Sequence, residues 1–176
     1  EDVEKGSTAS DGSAFAKMYD DVEYNASNAS LDSYWTDNYS MIHLANKILD
    51  DIKDYEAEGN ELTDAELISR SEASFFRAFA YFNLVRAFGE VPIYTKRLNE
   101  ANEANNPKSK VEDIYTLIDQ DLTTAAAKLP PRWESKYIGR LTVGAAKSLH
   151  ARTYMMRNQW KEMFDLSKEV IGSGLY

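Results

Sequence analysis

Cysteine is absent from this 176-residue sequence, and histidine occurs only twice. Without cysteine the chain can form neither disulfide bonds nor thiolate metal sites, but its redox compartment stays open, because exported and cytosolic proteins can both lack cysteine. His43 and His150 each stand in a helical pattern without a second metal ligand at i+4. Since a zinc site needs several such ligands together, we expect no metal site and no cofactor.

Long apolar runs and an excess of basic charge are also missing. No stretch of about 18 apolar residues occurs and no charged-then-apolar leader stands at the start, so the sequence predicts no membrane-spanning helix. The sequence leaves open whether processing has removed a leader or an anchor. The formal net charge is −9, and binding nucleic acid requires a basic face that neutralises phosphates. We therefore expect no nucleic-acid partner.

Motifs for catalysis are not found either. The sequence has no G-x-S-x-G nucleophile elbow, phosphate-binding loop or dinucleotide fingerprint. Asp20, Asp21 and Glu23 stand together, but the calcium-loop pattern with its glycine is absent, so we interpret them as solvated acidic surface. Paired acids for glycoside hydrolysis stay open, because their separation depends on the fold. We expect a protein without catalytic residues, not an enzyme.

The most distinctive segment that is present runs from Ser71 to Ile93. It carries two arginines, Arg77 and Arg86, and five phenylalanines: Phe75, Phe76, Phe79, Phe82 and Phe88. Its apolar residues spread around the whole helix instead of forming one stripe, which predicts a central, buried helix. Gly89 supplies a residue suited to a helix C-terminus, and Pro92 prevents the helix from resuming.

Apolar spacing predicts helices in most of the remaining chain and few strands. Residues 1–31 are interpreted as an irregular N-terminal segment, and residues 32–176 as one tetratricopeptide-like helical domain. Helix one is predicted over 32–56 with Asp32 or Ser33 as its cap, and a polar loop is predicted over 98–108. Later helices should end near Lys128, before Pro130, and near Asn158. The last helix begins at Trp160, which we interpret as a core residue.

Capping patterns mark the starts of three of these helices. Thr63 with Glu66 and Ser109 with Glu112 both fit the capping box, in which two side chains satisfy backbone N–H groups at the helix start. Thr142 is a plausible cap for the fourth helix. The resulting order is helix, break, helix, longer loop, then the same again. Antiparallel pairs of this kind stack into solenoids, so the predicted fold class is all-α, with antiparallel helix pairs forming a right-handed helical scaffold.

Five segments, in this order, resemble the SusD/RagB family of outer-membrane nutrient-binding lipoproteins of Bacteroidetes. The first is similar to a W-x3-Y-x2-I-x3-N-x2-L helix and comprises Trp35, Tyr39, Ile42, Asn46 and Leu49. The second is the Ser71–Ile93 segment. The other three are Asp113-Ile114-Tyr115 through Leu129-Pro130, Gly139-Arg140-Leu141-Thr142 through Arg152, and Val170-Ile171 through Tyr176.

The resemblance implies capture of a nutrient at the cell surface. Family members bind glycans, or peptides in some branches, and release them into a SusC-type TonB-dependent transporter that they cover as a lid. It also implies that the sequence is an N-terminal part of a longer chain, and that the membrane is reached only through a lipid anchor absent from it. The alternative is a tetratricopeptide-like scaffold that binds a peptide or a protein partner in a helical groove.

Glycan binding requires exposed aromatic faces beside amides, carboxylates or arginine. Two groups of residues have this mixture, and we predict them as ligand contacts: Tyr24, Asn25, Asn28, Tyr34, Trp35 and Asn38 in the first, and Trp133 and Tyr137 in the second. Trp35 has an alternative interpretation as the start of the buried stripe of helix one.

The arginines of the Phe-rich helix must be paired or must reach solvent. We hypothesise that Asp121 accepts hydrogen bonds from Arg77, Arg86 or Arg140 and so ties neighbouring helices together. Asn46 lies among apolar residues and is predicted to be a satisfied structural group.

Overall fold

The computed structural model describes residues 29–100 and 103–176, and this part is helical apart from its connecting segments. It contains α1 (Ala29–Ala57), α2 (Asp64–Phe88), α3 (Val111–Lys128), α4 (Val143–Met156), α5 (Trp160–Gly172) and a short 3-10 helix (Ser135–Tyr137). Within these residues the only β pairing is an isolated bridge between Pro92 and Lys108. The predicted all-α class is confirmed.

The chain divides into two compact units, residues 1–37 and 38–176. Of the first unit the structure describes residues 29–37, which form the beginning of α1. The second unit comprises the rest of α1 and the other four helices. The boundary predicted from the sequence, between residues 31 and 32, stays a prediction, although α1 already includes residues 29–31.

Within the second unit, α1 and α2 run antiparallel. Asn83 donates to Asn38 at 3.1 Å, and Arg70 pairs with Glu56 at 3.1 Å. The residue number therefore rises along one helix as it falls along the other. The same relation holds between α2 and α3, where Ser71 contacts Thr124 and Arg77 contacts Asp121. The antiparallel pairing of the predicted tetratricopeptide-like scaffold is confirmed.

A large part of the core of the second unit lies between α2 and α3, which contact each other extensively. Tyr81, Phe82 and Leu84 of α2 and Ile114 and Ile118 of α3 are all at most 1% exposed. Burial of an apolar side chain of this size stabilises the fold by about 1.5–3 kcal/mol. Burial at this interface therefore stabilises the packing of α2 against α3.

The expectation that α2 is buried on all sides is wrong. Phe75 and Phe82 are buried, but Phe76 is 42% exposed and Phe79 is 37% exposed. The Phe75 ring lies edge-on to Phe76 at 5.8 Å and parallel to Phe79 at 6.4 Å. Neighbouring helices cover only part of the circumference of α2, so these three phenylalanines extend from the core to the surface.

The predicted ends of α2 are confirmed. The Thr63 backbone N–H donates to Glu66 at 2.7 Å, and the Glu66 N–H donates to the Thr63 hydroxyl at 3.4 Å, which completes the capping box. Gly89 ends the helix with a φ of +71°, a conformation that favours glycine. Thr142 caps α4 as predicted, accepting from Ala145 N–H at 3.3 Å.

Two predicted helix starts are wrong. Helix α1 begins at Ala29, so Asp32 and Ser33 lie inside its first turns and do not cap it. The capping box at Ser109 does not form, because α3 begins after Lys110 without a side-chain cap. The Ser109 N–H instead donates to the Val91 carbonyl at 3.0 Å, next to the Pro92–Lys108 bridge. This tertiary contact holds Ser109 against the preceding segment.

The end of α3 follows the prediction, and α5 departs from it. Leu129, before Pro130, has φ −63° and ψ 137°, so the helix stops at Lys128. The predicted core residue Trp160 is 56% exposed, and Phe164 and Ile171 of the same helix are 59% and 79% exposed. Helical spacing identified the apolar face of α5, but no described element covers Trp160.

Three polar residues connect α1, α2 and α3, as hypothesised. Arg77 donates to both carboxylate oxygens of Asp121, at 2.8 and 2.7 Å, and to the Asn46 carbonyl oxygen at 2.8 Å. The Asn46 amide then donates to the carbonyl oxygens of Tyr94 and Lys96 at 2.9 and 3.1 Å. The network satisfies each buried group and fixes residues 94–96 against α1.

Candidate functional site

The first group of predicted contacts lies partly outside the described residues, since Tyr24, Asn25 and Asn28 precede Ala29. Tyr34 is 39% exposed and lines an open hollow of about 460 Å³. The other residues that line the hollow are Ala29, Ser30, Ser33 and Asp37. An aromatic ring beside hydroxyls and a carboxylate matches the chemistry predicted for a sugar contact.

Trp35 and Asn38, from the same group, do not line this hollow. Trp35 is half-buried. Asn38 is 5% exposed, and its side-chain oxygen accepts a hydrogen bond from Asn83 at 3.1 Å. Asn38 therefore belongs to the contact between α1 and α2, and its burial argues against direct ligand contact.

The second group is formed by the segment between α3 and α4. Trp133 and Tyr137 pack edge to face, with ring centroids 6.0 Å apart and an interplanar angle of 69°. The Trp133 indole N–H donates to the Leu141 carbonyl at 2.7 Å, which anchors the ring to the residue before the α4 cap. Tyr137, in the 3-10 helix, is 39% exposed. The structure thus brings these two predicted residues together.

Arg140 completes this cluster. Its guanidinium lies 4.1 Å from the centroid of the Trp133 ring and 5.8 Å from that of Tyr137. Glu72 of α2 accepts from Arg140 Nε at 3.0 Å and from Nη2 at 2.8 Å. The hydrogen bonds to Glu72 raise the pKa of Arg140 above its ordinary value, so the guanidinium stays charged. The ion pair also ties the segment to α2.

The arrangement distinguishes the two aromatic rings. Arg140 covers one face of Trp133, and the indole N–H is already bonded, so Trp133 is mainly an anchor of the segment. Tyr137 is the more exposed ring, and Lys136 Nζ lies 5.1 Å from its centroid. An aromatic ring flanked by two cations and the Glu72 carboxylate can contact the apolar face of a sugar and bond its hydroxyls. We refer to Glu72, Trp133, Lys136, Tyr137 and Arg140 as the aromatic cluster.

Sequence reasoning missed Glu72 and Lys136 as members of this cluster and considered Arg140 only as a partner for Asp121. The structure pairs Arg140 with Glu72, and Arg77 with Asp121. Glu72 is 68 residues from Arg140 in the sequence, so no local pattern connects them. The available signal was the positive charge of Lys136 and Arg140, one and three residues from Tyr137 in the sequence.

The two histidines have different surroundings. His43 is exposed on α1, whereas His150 is 8% exposed and its Nε2 lies 3.1 Å from Asp119 Oδ1. Arg157 donates to both oxygens of Asp119, at 2.8 and 2.7 Å. Burial would raise the pKa of Asp119, but the hydrogen bonds from His150 and Arg157 outweigh it and hold the pKa below its ordinary value. This cluster joins α3 to α4.

No cluster of three potential metal ligands from His, Cys, Asp or Glu occurs among residues 29–100 and 103–176. Across the same residues, every helix is too short or too polar to cross a bilayer.

Several known proteins are similar to this chain. The SusD-like family model described as "starch-binding associating with outer membrane" matches residues 1–155. A SusD-like protein of Bacteroides ovatus is 27% identical over 138 residues, which are 78% of this chain and 24% of the relative. A SusD-like protein of Formosa agariphila is 27% identical over 81% of this chain and 26% of its own length. The chain thus spans about a quarter of the length of these relatives.

Solved structures give the same result. A laminarin-binding SusD-like protein is 32% identical with a TM-score of 0.72, and the alignment covers 80% of this chain and 30% of the other. A SusD-like carbohydrate-binding protein of Bacteroides fragilis is 27% identical with a TM-score of 0.77, covering 85% and 29% of the two chains. From sequence match and fold together, the chain belongs to the SusD-like family, whose model carries this description.

Proposed function

We propose that this chain is part of a cell-surface protein that captures a glycan, and that the aromatic cluster takes part in binding. The observation that carries this proposal is the exposed Tyr137 ring between Lys136 and Arg140, in a chain of a starch-binding family. The Glu72–Arg140 ion pair and the Trp133–Leu141 hydrogen bond hold the cluster in one conformation before a ligand arrives. Preorganisation lowers the entropic cost of binding.

The captured glycan passes to a SusC-type TonB-dependent transporter in the outer membrane. The family's association with the outer membrane supports this part of the proposal. A lipid anchor outside this sequence holds the protein at the cell surface. Co-purification of the transporter with the tagged protein from detergent-solubilised outer membranes tests the partnership. Digestion of the protein by a protease added to intact cells tests its exposure at the cell surface.

Binding is tested by calorimetry with laminarin and starch, using the purified protein and its Tyr137→Ala variant. Loss of an aromatic contact costs about 0.5–1.5 kcal/mol, so we expect affinity to fall roughly 2- to 12-fold. Tyr55→Ala is the matched control, because Tyr55 is a similarly exposed tyrosine, 41%, on α1. Unchanged affinity in Tyr137→Ala would remove the aromatic cluster from the proposed site. Recovery of the glycan at its original length would support capture without hydrolysis.

The alternative is a scaffold that binds a peptide or a protein partner. It is favoured by the exposed apolar residues of α5, namely Trp160, Phe164 and Ile171. Saturable binding of peptides, with no response to any polysaccharide in the same panel, would replace glycan capture with this function.

A further inference from the structure

A second cavity, separate from the aromatic cluster, opens between α1, α2, α3 and the segment that follows α2. Its volume is about 320 Å³, near the lower end of the range for small-molecule sites. It is lined by Leu49, Asp50, Lys53, Arg70, Ser74, Arg77, Thr95, Lys96, Asp121 and Thr124. Unlike a typical apolar pocket, it is lined almost entirely by polar and charged side chains.

The walls of this cavity are held by hydrogen bonds. Asn46 bonds the carbonyl oxygens of Tyr94 and Lys96, and Asp50 accepts from the Arg97 backbone N–H at 2.7 Å. These bonds fix the segment that carries Lys96 against α1. The Arg77–Asp121 ion pair joins α2 to α3 from inside the cavity lining. The cavity is therefore formed before any ligand binds.

The inner surface of the cavity carries unused hydrogen-bonding groups. Ser74 is 1% exposed, lines the cavity, and makes no side-chain hydrogen bond to any residue in the described part of the chain. Arg77 is also largely buried, with 11% of its side chain exposed, and donates three of its five N–H groups to Asp121 and Asn46. The Ser74 hydroxyl and the remaining Arg77 N–H groups are therefore available to water or to a ligand that enters the cavity.

The charge of the cavity is opposite to that of the whole chain. Four cations line it, Lys53, Arg70, Arg77 and Lys96, against two carboxylates, Asp50 and Asp121. Two of the cations are already paired, Arg77 with Asp121 and Arg70 with Glu56, and Asp50 accepts from the Arg97 backbone N–H. Lys53 and Lys96 form no ion pair within the described residues. A local excess of positive charge on a chain of net charge −9 attracts anionic ligands selectively.

We propose that this cavity binds an acidic sugar unit, with its anionic group near Lys53 and Lys96 and its hydroxyls bonded by the side chains of the inner surface. A carboxylate or a sulfate ester provides the same oxyanion chemistry for the two ammonium groups. Ser74 and Thr95 provide hydroxyl groups for the sugar body, and the Thr124 hydroxyl, which donates to the Gln120 carbonyl at 2.9 Å, can still accept a hydrogen bond. The volume accommodates a ligand of monosaccharide size, not an extended chain.

The test measures binding of four probes to the purified protein by NMR or calorimetry: glucuronate, glucose 6-sulfate, glucose and acetate. We expect one or both acidic sugars to bind, and glucose and acetate to bind at least about fivefold more weakly. Lys53→Gln/Lys96→Gln should weaken acidic-sugar binding about fivefold, the upper range for exposed charge pairs. Lys47→Gln/Lys168→Gln removes the same charge from exposed positions outside the cavity and should leave binding unchanged.

The identity of the acidic sugar that binds assigns the anionic group as carboxylate or sulfate. Equal binding of glucose, equal binding of acetate, binding unaffected by the Lys53/Lys96 substitutions, or no binding of either acidic sugar would each overturn the proposal. The Ser74→Ala variant gives a second readout, because it should weaken acidic-sugar binding without changing net charge. Laminarin binding and its dependence on Tyr137 are measured separately on the same protein, so failure here is distinguishable from failure of the proposed function.

Discussion

The Arg77 guanidinium and the Asp121 carboxylate form two parallel hydrogen bonds, at 2.8 and 2.7 Å, between α2 and α3. Only 11% and 6% of the two side chains are exposed. Burial raises the pKa of the Asp121 carboxyl, and the hydrogen bonds from Arg77 oppose that rise. The two hydrogen bonds offset the desolvation cost of the buried carboxylate, and the carboxylate does the same for the buried guanidinium.

Removal of one partner should therefore destabilise the fold much more than removal of both. We expect Arg77→Met to lower the free energy of unfolding by about 3–5 kcal/mol, because it leaves a buried carboxylate unpaired. Arg77→Met/Asp121→Leu should recover much of this loss. Urea denaturation measures both effects as shifts in midpoint. Strictly additive losses in the double variant would contradict coupling between the two residues.

A surface pair provides the control for this prediction. Arg70 of α2 pairs with Glu56 at 3.1 Å, but 32% and 43% of their side chains are exposed. Arg70→Met should cost less than about 1 kcal/mol, since exposed ion pairs contribute little. If Arg70→Met lost as much unfolding free energy as Arg77→Met, burial would not be what makes removal of one ion-pair partner costly.

Thr63 caps α2, whereas Ser109 does not cap α3, so replacing these two hydroxyl residues should affect stability differently. Thr63→Ala removes a capping-box acceptor and should lower the free energy of unfolding by about 1 kcal/mol. Ser109→Ala should change it by less than about 0.5 kcal/mol, because Ser109 does not cap α3. Thermal or urea unfolding of both variants tests the assignment. Equal losses of stability in the two variants would support the capping box predicted at Ser109 from the sequence.

The Asp119 cluster predicts a pH-dependent contribution to stability. Its folded-state pKa is lower than the ordinary value, so the stabilisation is fully present above the unfolded-state pKa of about 3.9. It is lost as the pH falls through the folded-state pKa. The difference in unfolding free energy between the parent protein and Asp119→Asn should shrink between pH 6 and pH 3. A difference that grows on acidification would contradict this sign.

Alanine substitutions at two glycines distinguish the cost of backbone conformation from the cost of steric overlap. Gly89 has φ +71° and ψ −119°, and a Cβ added there meets no atom within 4 Å, so Gly89→Ala should cost about 1–3 kcal/mol through backbone conformation alone. Gly172, at the end of α5, also has open space but no positive φ. Gly172→Ala should be neutral or slightly stabilising in denaturation measurements. Similar losses in both variants would argue against a conformational cause at Gly89.

Local sequence patterns predicted the helices more reliably than their surroundings. Pro130 restricts the backbone dihedrals of Leu129, and Gly89 can adopt a positive φ that other residues rarely adopt, so the ends of α3 and α2 could be predicted without knowing the neighbours. The Thr63 cap also acts within one turn. Ser109 has an equally good local pattern, but its backbone pairs with Val91, 18 residues away. Local patterns fail where a long-range contact competes with them.

The candidate site was only partly predictable for the same reason. Exposed aromatics in a loop identified Trp133 and Tyr137, but their partner Glu72 is on α2. The predicted contact Asn38 is buried against Asn83 on the neighbouring helix. The cavity that contains Lys53 and Lys96 combines three helices and a connecting segment, and no sequence pattern joins these residues.

The sequence by itself determined the all-α class, the ends of most helices, the family and the need for Arg77 either to have a partner or to reach solvent. These follow from local dihedral preferences, apolar spacing, characteristic motifs and the cost of an unpaired buried charge. Only the tertiary structure decided that Arg77 pairs with Asp121 and Arg140 with Glu72, and that Phe76, Phe79 and Trp160 stay exposed. Partner choice and burial depend on how separate helices pack, and helical periodicity does not specify which neighbour covers a face.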